Sequence, residues 1–334
     1  MSYSRLLATL AVVTAALLPL GGKAQACQLD RAVTFAGLDW GSAAFHNAVA
    51  QRIVSIGFGC STRAVPGETL PLLAKMAKGE VDVTMELWKP NLGEAWQQAE
   101  SAGQVQEVGV NFEDAVQGWF VPRYLVEGPN AQAAGLRTVF DLPRYRQLFA
   151  DRSSNGKGRF FNCAHGWGCE VVNTRKLAAY GLSDSYLNVR PQSGAGLVAA
   201  IASHYKRQEP FLAYYWTPTW VIGKFDLVML EEPPYDRRKW MALSTQQAPR
   251  EATAYPTVAV GIAVNARFAR QAPELVHFLS RYQTDSGVIS QALAYIEDRK
   301  ASPEVAASEF LRLHRARWMA WVPPDVAQRV LNSL

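Results

Sequence analysis

Three tryptophans stand where strand-like runs give out. Trp88 follows "VDVTMEL" and precedes "KPN". Trp216 ends "FLAYYW" and precedes "TPTW". Trp167 lies in "NCAHGWGC" (Asn162 to Cys169), just ahead of a helical pattern. Indole faces carry negative quadrupole charge, so several of them around one space suit a cation, best a weakly hydrated quaternary ammonium with no N–H to donate. Each face contributes about 0.5 to 2 kcal/mol. Three faces fall short of the ~8 kcal/mol of a micromolar complex. Buried methyl groups and a polar handle must supply the remainder. A lone tryptophan is more often core packing or a surface anchor, and Trp96, Trp119, Trp240, Trp318 and Trp321 are read that way.

The loop that holds Trp167 is suited to be the handle. Gly166, Gly168 and Cys169 lead into "EVVNTRKLAAYGL", whose apolar residues recur at helical spacing. Amides in the first turn of a helix have no intrahelical acceptor and form a ready anion site. Gly168 lets backbone approach a ligand closely. Trp167 and the amides of Gly168 and Cys169 would hold a cation and a carboxylate a short distance apart, which describes a small zwitterion with a methylated nitrogen.

Catalytic patterns are missing from the chain. The five histidines are scattered without zinc spacing, and His277 reads as a helix-surface or core residue. There is no nucleophile elbow and no phosphate loop, and "GWGCEV" lacks the third glycine of a dinucleotide fingerprint. Cys163 and Cys169 are six apart, which is not the spacing of a redox pair; a nucleophilic Cys169 at a helix start is the competing reading. No metal site, cofactor or enzyme activity is expected.

The elements that would carry these residues can be read in outline. A strand at Ala32 to Ala36 precedes a helix from Ser42, with Phe45, Val49, Ile53 and Ile56 on one face and Gly57 as its C-terminal cap. A second helix, "ETLPLLAKMAKGE", stops at Gly79, and Val81, Val83 and Met85 then alternate as in a strand. This rhythm predicts a mostly parallel sheet flanked by helices. A strand is expected around "GWFVPRYLV", helices over Glu170 to Tyr180 and Gly194 to Lys206, and strands at "FLAYYW" and "TVAVGIAVN". Two helices should close the chain, the last carrying Phe310, Leu313, Trp318 and Trp321. A middle region set between two α/β segments suggests two lobes joined by two crossing strands: residues 27–118 with 255–334, and residues 119–254. In open α/β sheets ligands bind beyond the carboxyl ends of strands, which places the site in the cleft between lobes.

The first 26 residues read as an export leader: Arg5, the apolar run Leu6 to Leu20, and cleavage after "AQA", leaving Cys27 first. A lipid anchor at Cys27 is the competing reading, disfavoured because Ala24 stands where leucine is usual. Without the leader, which holds Arg5 and Lys23 and no acid, the net charge of +5 falls to a mild surplus with no basic run, which argues against nucleic acid. In an oxidising compartment four cysteines suggest two disulfides. Sequence permits three pairings; Cys163 with Cys169 is the local choice, leaving Cys27 with Cys60, and four free thiols are the alternative.

At "GWGCE" with its upstream cysteine, at "YYWTPTW" and at "GEVDVTMELWKP", the chain resembles the periplasmic glycine betaine/proline betaine-binding proteins of osmoprotectant ABC importers, over essentially the whole mature length. The resemblance implies a two-lobed, hinged periplasmic binding protein that closes on its ligand and delivers it to a membrane permease with its ATPase, and we expect it to act as a monomer. It places an aromatic box on Trp88, Trp167 and Trp216, carboxylate-binding amides on Gly168 and Cys169, and a loop disulfide on Cys163–Cys169. Departures concern ligand identity. Leu92, with Asn91 beside it, stands where the family can place a carboxylate-contacting histidine; His165 stands where proline is familiar; and Trp40 is expected near the pocket rim. A larger betaine, dimethylsulfoniopropionate, carnitine or choline, and a sensory rather than a transport role, all stay open.

Overall fold

The structure, a computed structural model, describes residues 27–245 and 249–334. The expected leader and its cleavage point therefore lie outside the described residues. Two five-stranded sheets organise the chain. The first contains β1 (Val33–Gly37), β2 (Thr62–Pro66), β3 (Val83–Leu87), β4 (Val105–Ala115) and β10 (Val258–Asn265), in the order β2-β1-β3-β10-β4. The second contains β5 (Gln117–Pro122), β6 (Gly158–Phe161), β7 (Tyr186–Val189), β8 (Leu212–Trp216) and β9 (Leu227–Met229), in the order β7-β6-β8-β5-β9.

Each sheet forms one lobe with the helices packed on it, and the chain crosses between them twice: from β4 into β5, and back into β10. The expected switch between residues 118 and 119 falls within β5, because Gln117 and Gly118 already pair with Trp216 and Tyr215 of β8. In each sheet four strands run the same way and one, β10 or β5, runs against them. In the first, β1 pairs in parallel with β2 and β3, while β10 runs antiparallel to β3 and β4. In the second, β6 pairs in parallel with β7 and β8, while β5 runs antiparallel to β8 and β9. The antiparallel members β10 and β5 adjoin the crossings, and their direction is set by where the chain enters each lobe.

Burial explains which strands show in the sequence. All five residues of β3 and of β8 are buried; β8 is an unbroken apolar and aromatic run, whereas β3 alternates Val83, Met85 and Leu87 with buried Thr84 and Glu86. The unforeseen strands are of other kinds. β2 and the eleven-residue β4 are the polar edges of the first sheet, with Arg63 and Pro66 in one and Gln106, Glu107, Glu113 and Asp114 in the other. β6, β7 and β9 have only three or four residues, too short for a period to emerge. Arg123–Val126, expected as strand, is a short helix. The helix expected at residues 170–180 spans Gly168–Ala179, and the next spans Gly194–Lys206 as expected.

Gly79 caps the Thr69–Lys78 helix in the left-handed region at φ 79°. Gly57 does not cap its helix. The Gly41–Arg52 helix runs on into a π-helical turn, Ile53–Gly57, and a Cβ on Gly57 would fall 2.6 Å from the Val326 side chain. Close approach of the Pro324–Leu331 helix requires that glycine. Six helices, not two, follow β10, and Phe310, Trp318 and Trp321 are buried across separate segments while Leu313 is exposed. The five tryptophans read as packing residues are all buried. Cys27 pairs with Cys60 and Cys163 with Cys169, with Cα–Cα distances of 4.8 and 6.0 Å.

Candidate functional site

Four loops converge where the two lobes meet, each leaving the carboxyl end of a strand in the parallel part of its sheet. Beyond β1 come Asp39 and Trp40, then the Gly41–Arg52 helix. Beyond β3, Trp88 precedes the Lys89–Ser101 helix. Beyond β6, the disulfide-closed loop ends at Trp167, the residue that leads into the Gly168–Ala179 helix. Trp216 is the last residue of β8. Trp40, Trp88, Trp167 and Trp216 line one cavity. Trp167 stands at its centre, edge-on to Trp40 at 5.0 Å and to Trp216 at 5.4 Å between ring centroids.

Gly168, Cys169 and Asn91 line the same cavity. The two lobes touch so closely here that a Cβ on Gly168 would fall 2.3 Å from the carbonyl oxygen of Asn91; no other residue fits. Gly166 has φ 83°, which turns the loop toward Glu68 of the opposite lobe. His165, proposed from the sequence, is exposed and is not among the residues lining the cavity. Its amide donates to the carbonyl oxygen of Pro191. Thr69 and Tyr214 also line the cavity, and neither carries a sequence signal beyond its type. All lining side chains are aromatic or neutral; charged groups stand one step behind them.

Those charged groups hold the indoles by their N–H. Buried Glu86 accepts from Trp40 Nε1 at 2.8 Å and from Trp88 Nε1 at 2.9 Å, both on one carboxylate oxygen. Burial pushes its carboxyl above the ordinary range, opposed by hydrogen bonds from Trp88, Trp40 and Ser42. Asp39 accepts from Trp167 Nε1 at 2.7 Å. Deeper in, Gln117 Oε1 accepts from Asn91 Nδ2 and from the Tyr214 hydroxyl, each at 2.7 Å. Burial raises the Tyr214 pKa well above its ordinary value, keeping it a neutral donor.

Aromatic walls with fixed edges, facing the first-turn amides of a helix, can hold a cation and an anion joined by a short spacer. Two such lobes around such a cleft define a class: a two-lobed solute-binding protein that encloses a small ligand. The comparisons with known proteins name the family within that class. Residues 31–313 match the substrate-binding domain of ABC-type glycine betaine transport systems, and the chain belongs to that family. It is 26% identical over 266 residues to the glycine betaine/proline betaine-binding periplasmic protein of Escherichia coli K12, covering 75% of this chain and 77% of that one. A glycine betaine-binding periplasmic protein of Dickeya dadantii is 29% identical over 164 residues, 47% of each chain.

Among solved structures, the fold matches a choline-binding protein in complex with choline (TM-score 0.72, 16% identity, 90% and 97% of the two chains). It also matches a lactococcal protein in its closed-liganded conformation with glycine betaine (TM-score 0.68, 18% identity, 88% and 100%). The relatives named for betaine are periplasmic, and among the described residues no helix is long and apolar enough to cross a membrane.

Proposed function

We propose that this chain captures a small betaine-type zwitterion, glycine betaine first, in the cavity between its lobes, and hands it to the membrane permease and ATPase of an ABC importer. Trp88, Trp167 and Trp216, joined by Trp40, surround the methylated nitrogen. The amides of Gly168 and Cys169 receive the carboxylate, and Asn91 stands beside them. His165 is left out of this assignment. The observation that carries the reading is the convergence of four indoles from both lobes on one cavity whose far wall is the start of the Gly168–Ala179 helix. Closure dries the space, which strengthens cation–π and amide contacts together. The lobes are taken as residues 27–118 with 255–334, and 119–254, with Gln117 and Gly118 belonging to the crossing strand β5. The chain acts as an exported monomer, cleaved after Ala26, and no catalytic step is assigned to it.

Choline offers the cation without the carboxylate and would leave the amides without an anion, so it should bind more weakly than glycine betaine. Titration of tryptophan fluorescence with glycine betaine, proline betaine, carnitine, choline and dimethylsulfoniopropionate ranks the ligands; choline at the top would move the assignment away from betaines. Trp167→Ala and Trp216→Ala should each weaken glycine betaine about tenfold or more, the loss of ~1.4 kcal/mol per face. Unchanged affinity in both by calorimetry removes the cage.

A further inference from the structure

We propose that Asp39 is the latch of the closed cleft and the positioning residue of Trp167; the proposal rests on the binding reading above. Asp39 belongs to the lobe of the first sheet, in the loop after β1, yet both of its side-chain hydrogen bonds go to the other lobe. Oδ1 accepts from Trp167 Nε1 at 2.7 Å, and Oδ2 accepts from the amide of Gly194 at 2.9 Å. Gly194 opens the Gly194–Lys206 helix, where Ser193 satisfies the amide of Gly196 and Asp39 satisfies that of Gly194. One carboxylate thus takes a helix-start amide and the indole at the centre of the cage, and both donors are in reach only when the lobes meet.

The fit at this contact is tight. A Cβ on Gly194 would fall 2.7 Å from the Asp39 carbonyl oxygen and 2.9 Å from the Trp167 ring. Gly194 has ordinary helical backbone, so an alanine there suits the helix; it crowds Asp39 across the cleft and the Trp167 ring within its own lobe. An ion pair across the lobes, Lys224 with Asp298, is exposed at both ends and touches no part of the cage. Closure therefore orders Trp167 through Asp39: when the lobes part, the central indole loses its N–H acceptor. Ligand lands on an open cleft and leaves only after the latch opens, so the latch acts on departure rather than arrival.

Three variants test this with glycine betaine as the probe. Asp39→Ala removes both bonds. Asp39→Asn keeps the shape but turns an NH₂ toward one of two N–H donors. Gly194→Ala crowds the Asp39 backbone and the Trp167 ring while leaving the Asp39 carboxylate itself in place. Each should speed dissociation in stopped-flow fluorescence about tenfold, with association within about twofold and the ligand-free unfolding midpoint unchanged. Dyes on the exposed positions Leu313 and Phe140, one per lobe, should report a smaller closed fraction in all three. An Asp39→Asn variant that dissociates like wild type, or losses that reappear as a lowered ligand-free midpoint, overturn the latch and leave Asp39 a packing residue. If wild type binds neither glycine betaine nor choline, the binding reading falls. The latch is then decided by the dyes alone: inter-lobe distances in the ligand-free variants identical to wild type overturn it, and a reduced closed fraction supports it.

Discussion

The lobe of the first sheet and the lobe of the second repeat one pattern, two parallel pairings followed by two antiparallel ones, yet they equip the cleft differently. The first lobe supplies Trp40 and Trp88, and both indole N–H groups end on its own buried Glu86. Its half of the cage is set whether or not the lobes meet. The second lobe supplies Trp167, Trp216 and the helix-start amides, and its Trp167 finds its acceptor, Asp39, across the cleft. The disulfides divide in the same way. Cys27–Cys60 ties the segment ahead of β1 to the loop after the π-helical turn, away from the cavity, whereas Cys163–Cys169 closes the loop that forms the cavity wall. One lobe is a fixed template; the other carries a pre-shaped loop that the template completes.

Acid should separate the lobes most strongly. His46 is fully buried in the first lobe, with Nδ1 2.9 Å from the Tyr282 hydroxyl, and burial lowers its pKa to about 3. A histidine held neutral contributes stability that is present above its unfolded pKa, near 6.5, and lost as pH falls toward the folded value. The shift from 6.5 to about 3 corresponds to roughly 5 kcal/mol lost across that window. Denaturant titrations at pH 7, 5 and 3.5 should show it in the wild type and show a flatter profile in His46→Gln, which cannot ionise. Equal slopes in the two proteins would remove His46 as the acid-sensitive point of its lobe.

Breaking the disulfides one at a time sharpens the contrast. With sequence separations of 33 and 6, chain entropy assigns about 4 kcal/mol to Cys27–Cys60 and about 2 kcal/mol to Cys163–Cys169. Serine replacements at Cys27 and Cys60 should lower the unfolding midpoint more. Replacements at Cys163 and Cys169 should weaken betaine binding more, because the loop must then be ordered by the ligand. Calorimetry on both pairs of variants checks this, and a reversed order of affinity losses contradicts it.

Glu86 gives the smallest test. Glu86→Leu strands two buried indole donors and should cost about 2 kcal/mol of stability together with cage affinity, whereas Glu86→Gln keeps an acceptor oxygen. Because the carboxyl is raised in the folded chain, its protonated form favours folding. The contribution is present at low pH and lost as pH rises through the folded pKa. Glu86→Gln should abolish that dependence, and a variant that keeps it points to another group.

Trp88, Trp167 and Trp216 were legible because a large aromatic side chain at the end of an apolar strand-like run is visible in one dimension, and because open α/β sheets bind ligands at those ends. The loop disulfide was legible from its short spacing. Asp39, Glu86, Thr69 and Tyr214 were not, since an acid or a hydroxyl near a tryptophan in sequence says nothing about which N–H it will face. His165 shows the converse: residues close to it in the chain line the cavity, yet His165 itself is exposed and is not among the lining residues.

The amino-acid order alone determined the α/β class and brought out the tryptophans at strand ends, because strand burial and helix starts leave local patterns of residue type; the two-lobed arrangement came with the family resemblance. Only the tertiary structure decided the mixed strand directions, the carboxylates behind the cage and the contact of Asp39 with the opposite lobe. Pairings between segments a hundred or more residues apart leave no periodic trace in the chain; they arise when two folded surfaces are brought together and each buried donor must find an acceptor.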